Sequence, residues 1–239
     1  MYLSRLWLNP RSPQVQRALL DCHLMHQRLM LAFPADVGGR AGAGLLYRIE
    51  PNSQGGRLVV LAQSRVMPSW ATLPAEWLLR HPDNPRVIDL TPLLGQLTPG
   101  LRLSFRLRAN PTRKVDARSA QEGRSVGQRV PLREERERLA WLERYAQRGG
   151  FVLEVVMIEG RPVRPALVEH SPPIPAPAEP LIGGRREVAG GSQRLTFEPV
   201  LYEGILRITD EAAFRATLLN GIGPGKAYGM GLLSIGRTD

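Results

Sequence analysis

In MYLSRLWLN, apolar residues Tyr2, Leu3, Leu6, Trp7 and Leu8 interleave with polar ones, the pattern of a strand. Ser12-Pro13 then marks a helix start, because a proline at the first helical position loses no hydrogen bond. Val15, Ala18, Leu19, Cys22, Met25, Leu29 and Phe33 recur at helical spacing until Pro34. Asp21, inside this run, is a candidate cap for a fresh helix that would break the longer one. AGLLYRIE and GRLVVLAQS read as strands joined by the turn PNSQGG. A weaker segment runs from Trp70 to Leu94. Leu101, Leu103, Phe105 and Leu107 then alternate in another strand. The order β-α-β-β-(α)-β is ferredoxin-like.

The pattern begins again further on. PLREERERLAWLERYAQRGG is a helix with Leu139, Leu142 and Tyr145 on one face and Gly149 after its end. FVLEVVMIEG is a strand, and QRLTFEPVLYEGILRIT is one long bent strand or a pair. DEAAFRATLLN is a helix capped by Asp210, and YGMGLLSI closes the chain as a strand. HSPPIPAPAEPLIGGRREVAGGS has the proline and glycine content of a long loop. The second half has the same order, with a weak first strand sought within 126–131. The fold class expected is α+β, with tandem ferredoxin-like (RRM-like) domains. The N-terminal domain covers 1–110, a basic linker or RNA-facing loop 111–125, and the C-terminal domain 126–239.

Charge changes the picture. The 239 residues carry a formal net charge of +10, and of 32 lysines and arginines only Lys114 and Lys226 are lysines. A GC-rich genome explains the arginine preference but not the sign of the charge, which favours a polyanionic partner. No basic amphipathic helix or spanning apolar run points to a membrane. The start lacks a secretory h-region, so a cytoplasmic protein is expected. One cysteine, Cys22, excludes an internal disulfide framework.

The loop GIGPGKAYGMG looks at first like a nucleotide loop. A Walker A motif would need glycine at Asn220 and a hydroxyl at Ala227, with a strand before and a helix after. Here the flanks are reversed. The dinucleotide fingerprint fails at Lys226. A tight connection accounts for one or two glycines, and backbone that approaches a ligand closely is the better account of five. Of four histidines, His23 and His26 lie at i, i+3 near a possible helix N-terminus, where phosphate is favoured. On an unbroken helix His26 would instead lie in the apolar stripe as an ordinary core residue. Cys22 and His26 lack the further ligands of a zinc site, and no carboxylate cluster suits a two-metal nuclease.

GIGPGKAYGMGLLSI, LNPRS…HLMHQRL, FRLRANPTRK and RVPLREERERLAWLERYAQRGGF together resemble the CasE family, the CRISPR RNA endoribonucleases of type I-E Cascade, within the repeat-associated RNA-binding superfamily. The resemblance runs nearly end to end, with gaps at 35–43, 52–56 and 171–191. It implies binding of the repeat stem-loop in the precursor transcript. It also implies one metal-independent cut at the 3′ base of the stem, by 2′-OH attack, and retention of the product in the complex. The family's catalytic histidine falls on His26. His23 stands where some relatives carry a catalytic tyrosine, and either assists in the same way or is a polar surface residue. Lys226 is the supporting cation. Arg106, Arg108, Arg113, Lys114, Arg129, Arg161 and Arg164 are the candidate RNA contacts, with Gly221, Gly223, Gly225 and Gly229 of the loop. No cofactor or metal is expected. The partners expected are repeat RNA and other Cascade subunits, and the free protein is expected to be a monomer. The alternative is a catalytically silent stem-loop-binding subunit.

Overall fold

The structure is a computed structural model that describes residues 1–50, 57–115, 126–163, 181–188 and 191–238. Strand β1 (Tyr2–Trp7) leads into α1 (Pro13–Leu20), α2 (Cys22–Met30) and the short α3 (Gly39–Ala43). Then come β2 (Leu46–Glu50), β3 (Val59–Ser64), β4 (Arg86–Asp89) and α4 (Thr91–Leu94). Alternation along β1 sends Ser4, Leu6 and Leu8 into a core with Val15, Met25, Leu29, Val60 and Trp77. Arg5 and Trp7 face the other side of the sheet, where both Arg5 and Arg57 stack on the Trp7 ring.

The second half contains β5 (Arg102–Ala109), β6 (Thr112–Lys114), β7 (Arg129–Pro131) and α5 (Glu135–Arg148). It continues with β8 (Phe151–Ile158), β9 (Arg161–Val163), β10 (Ile182–Val188), β11 (Gly191–Phe197) and β12 (Val200–Ile208). Helix α6 (Glu211–Asn220) and β13 (Leu233–Arg237) complete it. Leu103 and Leu107 of β5 join Leu139, Leu142, Phe151, Tyr202, Leu206 and Phe214 in a second, separate core.

The first sheet is ordered β2-β3-β1-β4 and the second β13-β5-β12-β8-β9. In each unit the fourth strand therefore lies beside the first, and the third lies between the first and second. Both halves are ferredoxin-like, with β9 added at one edge. The expected second helix of the first unit is only a 3-10 turn at Trp70–Thr72.

Three expectations need correction. The strand at 101–107 pairs with β12 and β13, so it opens the second unit rather than closing the first. β4 takes its place beside β1. The segment 129–131 pairs with β6 in a small separate ribbon and is not the opening strand of the second sheet. The stretch 170–192, expected as loop, includes β10, and β10–β11 is an antiparallel hairpin from Ile182 to Phe197. Periodicity exposes a strand but not its partner, and β5 has the same alternation whichever sheet it joins.

The halves meet through buried Arg48 of β2, which is 2% exposed. Its guanidinium pairs with Glu50 (2.6 Å) and donates to Arg106 O (3.1 Å), Leu232 O (3.2 Å) and Ser234 Oγ (3.0 Å). Arg106 extends the network to Glu50 and Glu203, both at 3.4 Å. A planar fork with fixed donors suits several acceptors at once, which an ammonium would not reach.

Candidate RNA-processing site

Asp21 does break the long helical run. Its backbone is extended (φ −132°, ψ 104°), and its Oδ1 accepts from His23 N–H (2.8 Å) and Leu24 N–H (3.1 Å). Two otherwise unpaired amides of α2 are thereby satisfied. Restarting the helix puts Cys22, Met25 and Leu29 on its buried face and leaves His23 and His26 half-buried beside it.

The glycine-rich loop comes to this helix from the other half of the chain. A 3-10 turn at Lys226–Tyr228 packs on α2 and β2. The Tyr228 ring lies edge-on to His23 (6.2 Å between centroids) and to His26 (6.3 Å). Phe197, at the end of the hairpin, covers Tyr228 at 5.2 Å. The site is thus a junction of three segments: α2, the loop and the hairpin.

The glycines have a local cause. Gly221, Gly223, Gly225, Gly229 and Gly231 all have φ between 69° and 87°, a region costly for other residues. A Cβ on Gly223 would lie 2.7 Å from the Trp141 ring, and one on Gly225 2.5 Å from Met230 Cε. The loop also hangs from β5, where Gly231 N–H donates to Arg108 O at 2.7 Å. Conformation and packing explain all five glycines, so their number is not evidence of a ligand, contrary to the expectation.

The electrostatics favour an anion. The imidazole of His26 is held down to about 4, first by burial and then by the like charges of His23 and Arg40. Lys226 is also pulled below the usual lysine value, by burial and by Arg40. Cys22 is pushed up to about 11 by burial, so it sits there as a thiol. The Nδ1 atoms of His23 and His26 are buried without a hydrogen bond among the described residues. On the other ring nitrogen, His23 Nε2 is 3.3 Å from Gln27 Nε2. Asp21, the carboxylate at this end of α2, is already engaged by backbone N–H groups. At neutral pH His26 is therefore an uncharged proton acceptor, and an arriving phosphate would raise its basicity.

Of the other expected residues, Arg113 and Lys114 are exposed on β6, and Arg129 faces Lys114 across the ribbon. Arg161 is half-buried on β9, and Arg164 lies outside the described residues. Arg106 and Arg108, expected as a track, differ in their surroundings, with Arg106 exposed and Arg108 buried. Arg106 is engaged by two carboxylates, and Arg108 is only 8% exposed. β5 is an interior strand, and Arg106 links it to Glu50 of the first half while Arg102 pairs with Glu154 of β8. His81 packs on Trp7 (4.8 Å), away from α2 on the first sheet's opposite face.

Sequence reasoning passed over Arg40, Tyr228 and Phe197. It also missed Arg185, Arg186 and Arg194, exposed along the hairpin. The one available signal was REV and QRLTF flanking AGG, a short hairpin pattern hidden behind the proline-rich run. Among the described residues no three His, Cys, Asp or Glu side chains are grouped to hold a metal ion, and no helix is long and apolar enough to cross a membrane.

The family described as CRISPR associated protein matches residues 1–237. The CRISPR-associated endoribonuclease Cse3 of Thermus thermophilus is 35% identical over 238 residues, covering 98% of this chain and 99% of the relative. The Cascade subunit CasE of Escherichia coli is 29% identical over 218 residues, covering 90% and 92%. A solved structure of the endoribonuclease Cse3 bound to a 19-nucleotide RNA superposes with a TM-score of 0.74 at 33% identity, covering 99% of this chain and all of the other.

Proposed function

The chain belongs to the CRISPR-associated protein family, and from that premise we propose that it is the endoribonuclease that matures CRISPR RNA within a Cascade-type complex. It binds the repeat stem-loop in the precursor transcript, cuts once at the 3′ base of the stem and retains the product. The observation that supports this reading is the packing of the Lys226–Tyr228 turn from the second half on α2 of the first, with the Tyr228 ring edge-on to His23 and His26. The assembly is cytoplasmic, with the repeat RNA and the other Cascade subunits as partners.

The chemistry follows from the residues. The 2′-oxygen of the nucleotide 5′ to the cut attacks phosphorus, and the P–O5′ bond breaks. The products are a 2′,3′-cyclic phosphate and a 5′-OH. Neutral His26 takes the 2′-OH proton or, once phosphate has raised its basicity, returns a proton to the leaving oxygen. Lys226 and Arg40 stabilise the charge that accumulates on the phosphorane. Arg113, Lys114 and Arg129, with the hairpin arginines Arg185, Arg186 and Arg194, hold the RNA backbone. The loop at Gly221, Gly223, Gly225 and Gly229 shapes the surface that presents Lys226 to it. Strand pairing supports a boundary between the two units ahead of β5 rather than after 110.

The test is incubation of the purified protein with the repeat RNA in EDTA, followed by analysis of the ends. Cleavage to the cyclic phosphate, and none when the nucleotide 5′ of the cut is 2′-deoxy, is the expected result. Tight, salt-sensitive binding with intact RNA would instead identify a silent stem-loop clamp.

A further inference from the structure

The hairpin β10–β11 touches the histidine-bearing helix at one narrow place. Strand β10 packs across the end of α1 and the start of α2. Arg185 N–H points at Asp21 Oδ2 from 3.4 Å, while Oδ1 of the same carboxylate caps α2. Asp21 N–H in turn donates to Arg17 O (3.1 Å), closing the last turn of α1. One residue therefore ends one helix, starts the next and meets the hairpin.

Gly184 shows that this contact is built closely. Its φ is not in the left-handed region, so the backbone alone does not require glycine. A Cβ there would nevertheless stand 2.6 Å from Asp21 Oδ1, 3.0 Å from Cys22 Sγ and 3.1 Å from Cys22 N. Only a residue without a side chain lets the hairpin close on the cap. The same hairpin ends at Phe197, which covers Tyr228 beside both histidines. The hairpin thus touches the site at its open end, through Gly184 on one strand and Phe197 on the other.

We propose that Asp21 is a positioning residue for the cleavage reaction, clipping the arginine-bearing hairpin to the helix that carries His23 and His26, with Gly184 as the seat of the clip. This rests on the endoribonuclease reading above. RNA held by the hairpin is then registered against the histidines by a rigid contact. The catalytic geometry depends on Asp21 although its carboxylate faces backbone amides, not RNA.

The experiment compares Asp21→Ala, Asp21→Asn and Gly184→Ala by single-turnover cleavage at saturating RNA, with Kd measured separately. Displacement of a reacting group by about 1 Å costs about 100-fold in rate, and that is the loss expected for Asp21→Ala, with Kd within about threefold of the parent. Asp21→Asn keeps an oxygen for the cap and recovers most of the rate. Gly184→Ala, which leaves Asp21 and the histidines intact, also slows cleavage at saturation. If Asp21→Ala does not fold, Gly184→Ala carries the test alone. Folded variants that cleave at the parental rate, or that lose only affinity, overturn the proposal. Histidine Cε1–H resonances of the free protein give a readout independent of activity. Those of His23 and His26 should move in Asp21→Ala and Gly184→Ala, while that of His81 stays. Failure of the parent protein to cleave removes the functional reading, and the resonances still decide whether Asp21 positions the histidines.

Discussion

The perturbation that most directly tests the site is a fall in pH acting on His26. Its folded value is about 4 against an ordinary 6.5, because burial and two neighbouring cations disfavour the imidazolium. The unfolded chain therefore takes up a proton before the folded one does. The associated stability is complete above pH 6.5 and is lost as pH falls toward 4. Between pH 7.5 and pH 5 the loss is about 2 kcal/mol, reaching about 3 kcal/mol at pH 4. For a domain of marginal stability that is a large fraction of the total. The assay is urea unfolding of the parent and of His26→Gln across this range, since glutamine keeps a polar side chain but does not titrate. The variant should lose about 2 kcal/mol less than the parent between pH 7.5 and pH 5. Equal losses in the two proteins, or a His26 resonance titrating near 6.5, would refute the reasoning.

The remaining predictions concern other parts of the molecule. If RNA phosphate sits beside His26 as proposed, RNA binding at pH 5 should take up protons, seen as a calorimetric heat that varies with the ionisation enthalpy of the buffer. With Lys226 in its proposed role at the phosphorane, Lys226→Ala should lower cleavage at saturating RNA by about 100-fold or more. Arg48→Ala removes the donor to Arg106 O, Leu232 O and Ser234 Oγ at the interface, while Glu50 keeps Arg106, and should cost about 1–3 kcal/mol in chemical denaturation. Gly223→Ala, at φ 77° against Trp141, should destabilise by at least about 1 kcal/mol.

Much of this protein was legible from local pattern. The helix break at Asp21 followed from an N-capping side chain inside an apolar repeat, and capping is a contact between near neighbours in sequence. The basic charge, the duplicated ferredoxin-like order and the failure of GIGPGKAYGMG as a nucleotide loop were likewise readable, since each depends on composition or spacing. The resemblance singled out His26, which periodicity alone favoured as a core residue.

What depended on partners distant in sequence was not legible. β5 carries the same alternation in either sheet, and only its pairing with β12 and β13 assigns it to the second. Arg106 and Arg108 look like any basic strand until Glu50, Glu203 and burial engage them. The hairpin was hidden because β10 is polar and follows a proline-rich run, and it is held by pairing to β11 and by packing on α2 rather than by a core of its own. The sequence by itself determined two α/β units, a helix broken ahead of two histidines and a strongly basic chain. Only the tertiary structure brought Tyr228 to those histidines and Phe197 onto Tyr228, because long-range packing decides which of many equally patterned surfaces meet.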